Sequence, residues 1–420
     1  MTAPPVSFGG FVARARAAGT LVVQPRMGMS RPGPMRAGLH ATRLAAATTV
    51  GTITVDSYTR TGELAAARRA VAQGAPLNGY PIATHAPRVT RGVLEGICGP
   101  DFPVQVRHGS ARPGPVFAAL QACGLHATEG GPVSYCLPYS RVPLATAVAD
   151  WERCCGLLAE AHQGDVLPHL ETFGGCMMGQ LCPPALLVAL SVLEALFFRR
   201  HGLRSISLSY AQQANAHQDE EALTVLAALA AELLPDVDWH VVLYAYMGLY
   251  PLSPGGAQLL LDEAARLAVR TGAARLVVKT TAEAHRIPTV EENVRALETA
   301  AATAAATPPS AGPVPDTGIH AEARALVEAV LDLDDDIGRA LVLAFAKGYL
   351  DVPYCLHPDN AGRVRSLLDS EGRLQWAETG ALPLPGRRVR GGRAIVGSAD
   401  LLGALSHVRR TFDQRAFSGV

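Results

Sequence analysis

Between Leu21 and Glu283 the chain alternates between two textures. Short apolar runs that end on polar or charged residues are candidate strands. They are LVVQPR (21–26), ITVDSY (53–58), LNGYP (77–81), VQVRHG (104–109), GPVSYCLPY (131–139), HLETFG (169–174), SISLSYAQ (205–212), WHVVLYAYM (239–247) and RLVVKTTAE (275–283). Between them lie Ala/Leu-rich stretches that predict helices, including 62–73, 116–123, 146–163, 184–202 and 219–234. Strand starts recur about every 30 residues, the size of one βα unit. Such alternation, with Val/Ile/Leu-rich strands, predicts a parallel sheet buried on both faces. About eight units predict a closed (β/α)₈ TIM-type barrel. Nine candidates compete for eight places, so one is a loop or an extra strand. An open doubly wound sheet is the competing architecture, but no GxGxxG follows a strand and opens a helix.

After Glu298 the texture changes. TAAATAAATPPSAGPVPDTG (299–318) is Ala/Thr/Pro-rich, and its prolines resist helix, so it reads as a linker. The barrel is therefore assigned to 1–298 and a C-terminal α-rich region, packing on it, to 319–420. That region contains a helix pair over 320–350, a loop DVPYCLHPDNAGRVR (351–365) and a basic segment LPGRRVRGGR (384–393) that reads as a solvated loop.

Composition narrows the functional classes. Of 420 residues, 49% are hydrophobic and 18% charged, as in a globular protein. Lys+Arg and Asp+Glu both total 37, so no overall basic field favours nucleic acid. The longest apolar run, Ala185–Phe198, is short for a membrane span and contains Glu194. Residues 1–20 lack the basic start and apolar stretch of a secretory signal, so the expected location is cytoplasmic. The eight cysteines form no CxxC pair and are expected to be reduced and buried.

The expected strand ends are strongly polar, and ligand groups of such a barrel sit there. Three of these strand-like segments deliver an arginine at or near their end: Arg26, Arg60 and Arg107. Guanidinium forks grip carboxylates in pairs, as lysine does not. Three exceed the need of one carboxylate, so a dicarboxylate is the natural guest. Glu129 suits an ammonium group on the same molecule, and Tyr135 and Tyr139 offer hydroxyls. Plainer readings stand beside this one. Each arginine alone is an ordinary surface ion pair, Glu129 neutralises a neighbouring arginine, and the tyrosines simply pack. His108 reads as a structural donor. HLETFGGC (169–176) has the HxE half of a zinc deaminase motif but no PCxxC partner. No GxSxG elbow is present.

The ordered set QPRMG, DSYTR, LNGYP, RHG, TEGGPVSYCLPYS, ETFGG, VKTTAEAHRIPT and DVPYCLHPDNAG resembles the large (epsilon) subunit of coenzyme B12-dependent glutamate mutase, also called methylaspartate mutase. The resemblance runs from about residue 18 to the C-terminus and implies a (β/α)₈ barrel. It also implies that Arg26, Arg60 and Arg107 clasp the two carboxylates of L-glutamate, with His108 lining the same pocket. Glu129 would face the substrate amine beside Tyr135 and Tyr139; Glu129 and Tyr139 are the implied catalytic residues. Gly28, Asn78, Pro138, Tyr250, Lys279, Glu283 and Ile287 match positions contacting adenosylcobalamin, Lys279 and Glu283 at its ribose. The implied reaction is a radical rearrangement of glutamate to 3-methylaspartate. The cobalt-binding DxHxxG loop is absent here, which implies a separate small cobalamin-binding subunit of flavodoxin-like fold and no metal ligands on this chain. Pairing of large subunits into a heterotetramer would follow the family, with no nucleic acid or membrane partner.

Three positions depart from the family pattern: Pro132 stands where a third glycine is common, Thr128 where asparagine is, and Met27 where a small residue is usual near the cofactor face. Two other functions compete with the first. One is a related B12-dependent mutase with a different diacid, and the other is a non-catalytic amino-acid-binding barrel.

Overall fold

The structure is a computed structural model that describes residues 7–162, 164, 166–174, 181–310, 312–385 and 397–418. Eight strands form one parallel sheet: β1 (Val22–Gln24), β2 (Gly51–Thr54), β3 (Val104–Arg107), β4 (Ala127–Glu129), β5 (His169–Glu171), β6 (Ser205–Ala211), β7 (Asp238–Tyr244) and β8 (Arg275–Val277). Each strand from β2 to β8 pairs with its sequence neighbour, and β8 pairs with β1. The β1–β2 seam is joined by the parallel bridge Val23–Thr49, with Val23 N–H donating to Thr48 C=O at 2.9 Å. Helices lie between successive strands, so the expected (β/α)₈ barrel is present.

Two of the expected strands are not strands. LNGYP makes only the single bridge Val55–Tyr80, since Gly79 runs so close to the Val55–Asp56 backbone that a Cβ would collide. GPVSYCLPY is a series of turns on the barrel rim. The fourth strand is instead Ala-Thr-Glu at 127–129, too short and polar to stand out by hydrophobicity.

The helix Phe8–Ala17 closes the N-terminal end of the barrel. Its Phe8 and Val12 pack against Val22, Val50, Ala127 and Ala274. Inside the barrel, inward positions carry a polar layer where most such barrels carry branched apolar side chains. Gln24 Nε2 donates to Thr52 Oγ1 (2.9 Å) and Gln105 Oε1 (2.8 Å). Gln105 Nε2 and Ser207 Oγ donate to Glu171 Oε2 at 3.3 and 3.0 Å. Arg275, wholly buried, donates to Gln24 Oε1 and forms an ion pair with Glu171 Oε2. Below them His169 bonds the Ser205 and Ser207 hydroxyls at 2.9 and 3.0 Å and stacks on Phe8.

The last barrel helix, Val290–Ala305, begins at a Thr289/Glu292 capping box and continues past residue 299, where the linker was expected to begin. The helices Ile319–Leu331 and Ile337–Lys347 pack on the barrel helices Pro184–Arg200 and Leu144–Glu160. An antiparallel hairpin follows, β9 (Arg365–Leu368) and β10 (Leu374–Glu378), which the α-rich expectation did not include. Gln218 of the barrel fastens it, accepting from Leu374 N–H (2.8 Å) and donating to Leu374 C=O (2.9 Å). The basic 384–393 segment lies almost entirely outside the described residues. Every described cysteine is free, and no helix among the described residues is long and apolar enough to cross a membrane.

Removing Arg275 strands the Glu171 carboxylate without its buried counter-charge. Arg275→Ala is expected to cost about 3–5 kcal/mol, measured as a lower urea midpoint at unchanged slope.

Candidate active site

One cavity of about 590 Å³ opens at the C-terminal ends of the strands, and Arg26, Arg60, Arg107, His108, Glu129, Tyr135 and Tyr139 all line it. The three arginines arrive by different routes. Arg26 lies just beyond β1. Arg60 sits on the short helix Ser57–Thr61 after β2, whose first turn is capped by Asp56 Oδ1 accepting from Thr59 N–H at 3.1 Å. Arg107 ends β3.

Their electrostatic settings differ. Arg107 is buried, with Nη2 2.8 Å from Glu129 Oε2 and its guanidinium over the Tyr244 and Phe173 rings at 4.9 and 5.9 Å. Burial opposes its charge, but Glu129, Tyr244 and Glu171 outweigh burial and hold the proton more firmly than usual. Its Nη1 is buried with no partner among the described residues. Arg26 is half-buried, and its Nη1 lies 3.2 Å from Glu283 Oε2. Arg60 is exposed, and no ion pair to it occurs among the described residues. Gly109, at φ +68°, makes room for it, since a Cβ there would stand 2.9 Å from Arg60 Cδ.

Glu129 ends β4 and is buried. Tyr135 Oη donates to its Oε1, and Tyr244 Oη lies 3.3 Å from its Oε2. Burial raises its pKa, Arg107 draws it back, and the net direction is upward. Tyr244 Oη also donates to Glu171. Burial raises Glu171 as well, but Arg275 and Arg107 prevail and its pKa is lowered. One hydroxyl thus joins two carboxylates whose surroundings push them in opposite directions, a pattern typical of functional sites.

His108 accepts from Ser110 N–H through Nδ1 at 3.0 Å, which places its proton on Nε2. Burial pushes its pKa down to about 3, so the ring is neutral, stacked on Trp151 at 5.7 Å. Its Nδ1 thus has a structural role, accepting a backbone bond. Tyr139 stands on the rim, 41% exposed, edge-on to Tyr135 at 6.0 Å.

The positions expected at the cofactor divide. Gly28, Asn78, Glu283 and Ile287 line the same cavity. A Cβ on Gly28 would collide with the Thr54 carbonyl, so only glycine fits that rim. Asn78 is fixed by two bonds to Ser57. Lys279 and Tyr250 stand behind Glu283: Lys279 Nζ is 3.4 Å from Glu283 Oε2 and 4.5 Å from the Tyr250 ring centre. Pro138 is half-buried in the rim turns and does not line the cavity. Met27, next to the cavity-lining Gly28, is buried with its side chain against Gly38 of the helix Pro32–Leu44. Other strand-end residues serve the fold: Tyr80 bonds Thr90, Tyr210 bonds Asp219, and Gln212 accepts from Tyr246 N–H.

Sequence reasoning missed Tyr244, Phe173 and Glu194. Tyr244 was hidden because the β7 run was expected to continue to residue 247. The alternation of β7 was the available signal, since it turns Tyr244 inward. Glu194, the one charge in the apolar run Ala185–Phe198, accepts from Val133 and Ser134 N–H at 3.0 and 2.8 Å. It thereby pins the rim turns that carry Tyr135 and Tyr139. Gly131 lies directly against its carboxylate, and burial pushes its pKa up to about 7.

Residues 5–393 match the methylaspartate mutase E chain (MutE) family. The chain belongs to that family. It is 33% identical over 347 residues to the glutamate mutase epsilon subunit of Halobacterium salinarum, covering 79% of this chain and 71% of the relative. The epsilon subunits of Escherichia coli O157:H7 and Desulfitobacterium hafniense are 30% and 31% identical, covering 79% of this chain and 72% and 71% of theirs. Membership in this mutase family makes the chain an isomerase, and the word epsilon implies a partner subunit.

Histidines 108 and 169, both depressed to about 3 by burial, are neutral when folded and regain an ordinary pKa near 6.5 when unfolded. The unfolded state therefore binds the extra protons. The stability these two histidines supply is full above about pH 6.5 and is lost as pH drops towards 3, by up to about 1.4 kcal/mol per pH unit for each, while Glu194, its pKa raised, acts in the opposite sense. His169→Gln removes one such term, so its urea-measured stability is expected to gain on the unmodified chain by up to about 1.4 kcal/mol per pH unit between pH 6.5 and 4.5; a difference that does not change with pH would contradict this.

Proposed function

We propose that the chain is the substrate-holding subunit of an adenosylcobalamin-dependent mutase that converts L-glutamate to 3-methylaspartate. It works with a small cobalamin-binding subunit of flavodoxin-like fold, in the cytoplasm, with large subunits paired. The observation that carries the reading is the meeting of three guanidinium groups and one buried carboxylate in a single cavity.

Arg60 and Arg26 stand at the open side and Arg107 at the floor, so the two carboxylates of a diacid are held at both ends. Arg107 Nη1, buried and unpartnered, is the donor a ligand carboxylate completes. Glu129 takes the substrate ammonium, and Tyr135 keeps its carboxylate oriented. Tyr139 closes the rim over the reacting carbons. The Tyr135, Phe173 and Trp151 rings form a water-excluding wall, Tyr135 and Phe173 being 4.8 Å apart. Holding both ends of the substrate supplies the orientation the rearrangement needs.

The residues present also fit the cofactor. The cavity is larger than a five-carbon diacid fills, and Gly28, Asn78 and Ile287 leave its rim open. Glu283 offers a carboxylate acceptor suited to the hydroxyls of a ribose, and Lys279 supports it from behind at 3.4 Å. Adenosylcobalamin bound there supplies the radical chemistry.

The chain combined with its small subunit and adenosylcobalamin is expected to convert L-glutamate to 3-methylaspartate, followed by NMR. Arg60→Lys keeps the charge but loses the fork, and turnover should fall by about 100-fold or more. Full turnover in that variant would sink the clasp, and faster turnover of 2-methyleneglutarate than of glutamate would replace the substrate.

A further inference from the structure

A second concavity, of about 700 Å³, adjoins the active-site cavity and shares Arg60, Gly109 and Tyr139 with it. Beyond that junction its walls carry Arg112, Arg141 and Arg153 against a single carboxylate among the described residues, Asp150. Four guanidinium groups, Arg60 included, thus face one counter-charge. Arg112 Nε lies 2.5 Å from Asp150 Oδ2, and Arg153 also pairs with Asp150. Even so, the Arg112 and Arg153 side chains are 63% and 67% exposed, so their charge still reaches the groove. Arg112, Arg141 and Arg153 take no part in the clasp described above.

We propose that this groove is a vestibule through which small anionic dicarboxylates approach the cavity, guided by its surplus positive charge and handed over at Arg60. The inference rests on the reading of the cavity as a dicarboxylate site. If the rim at Gly28, Asn78 and Ile287 is covered by the cofactor-bearing partner, the substrate needs a lateral path. The groove meets the cavity at Arg60, Gly109 and Tyr139 and includes none of Gly28, Asn78 and Ile287. Glutamate carries one net negative charge at neutral pH, the sign a basic wall attracts. Concave walls of one sign raise the local concentration and on-rate of an oppositely charged ligand, by about 10–1,000-fold in favourable cases. Arg60 suits the handover because it borders both spaces and has no protein ion pair among the described residues.

The test is the association rate of L-glutamate with the full chain, alone and with the small subunit and cofactor. Stopped-flow tryptophan fluorescence reports it, because Trp151 stacks under His108 of the cavity wall. Two variants shift the groove charge in opposite directions without touching the clasp. Arg153→Glu is expected to slow association about 3–10-fold at low salt, and Asp150→Asn to speed it, with kcat unchanged in both. At 1 M salt, where the Debye length is about 3 Å, the three proteins should converge. A merely structural lesion would not produce opposite signs. Equal association rates at low salt overturn the vestibule while leaving the clasp intact. Altered affinity for the small subunit with unchanged glutamate association also overturns it, making the groove a protein-docking surface. If the unmodified chain gives no glutamate-dependent phase in either form, clasp and vestibule fall together.

Discussion

The inside of this barrel is organised by four buried charges that neutralise one another in pairs. Arg275 faces Glu171 near the middle, Arg107 faces Glu129 at the mouth, and the Tyr244 hydroxyl joins the two carboxylates. Each ion carries a desolvation penalty of several kcal/mol, which pairing offsets only when the remaining donors and acceptors are also satisfied. Gln24, Gln105, Thr52 and Ser207, themselves buried on the strands, go most of the way to meeting that condition, leaving Arg275 Nε and Arg107 Nη1 without a partner among the described residues. A polar layer of this kind tolerates no piecemeal replacement, because each member answers the hydrogen bonds of the next.

The same chain of charges joins the fold to the site. Arg107 and Glu129 belong both to the barrel interior and to the cavity wall, so the site floor is as fixed as the barrel itself. The rim is built differently. Arg60 is exposed, Arg26 is held by Glu283, and the turns bearing Tyr135 and Tyr139 are pinned from outside by Glu194. A buried floor with a partly exposed rim suits a pocket that must hold a small acid still and still admit it.

Much of this was legible in the chain. The βα spacing gave the barrel, and the apolar runs located most strands, because a parallel sheet buried on both faces leaves a continuous Val/Ile/Leu signal. The three arginines announced themselves at or near the ends of apolar runs and Glu129 as an acidic partner for an ammonium group, and they do share one cavity. The fourth strand was not legible. Ala-Thr-Glu carries too little apolar weight to mark a strand, while the richer GPVSYCLPY run beside it forms turns, because its Val133 and Ser134 N–H groups are taken by Glu194. The room for Met27 was not legible either: the space it fills is made by Gly38, a residue on the next helix.

By itself the sequence determined the fold class, the family and the set of polar groups at the strand ends, since these depend on local periodicity and residue type. Which arginine is buried, which is held by Glu283 and which stands ready at the junction of two cavities was decided only by the tertiary structure. So were the opposed pKa shifts of Glu129 and Glu171 and the linking role of Tyr244. Burial and charge pairing arise between residues far apart in the chain, and no local pattern encodes a partner that arrives from the other side of the barrel.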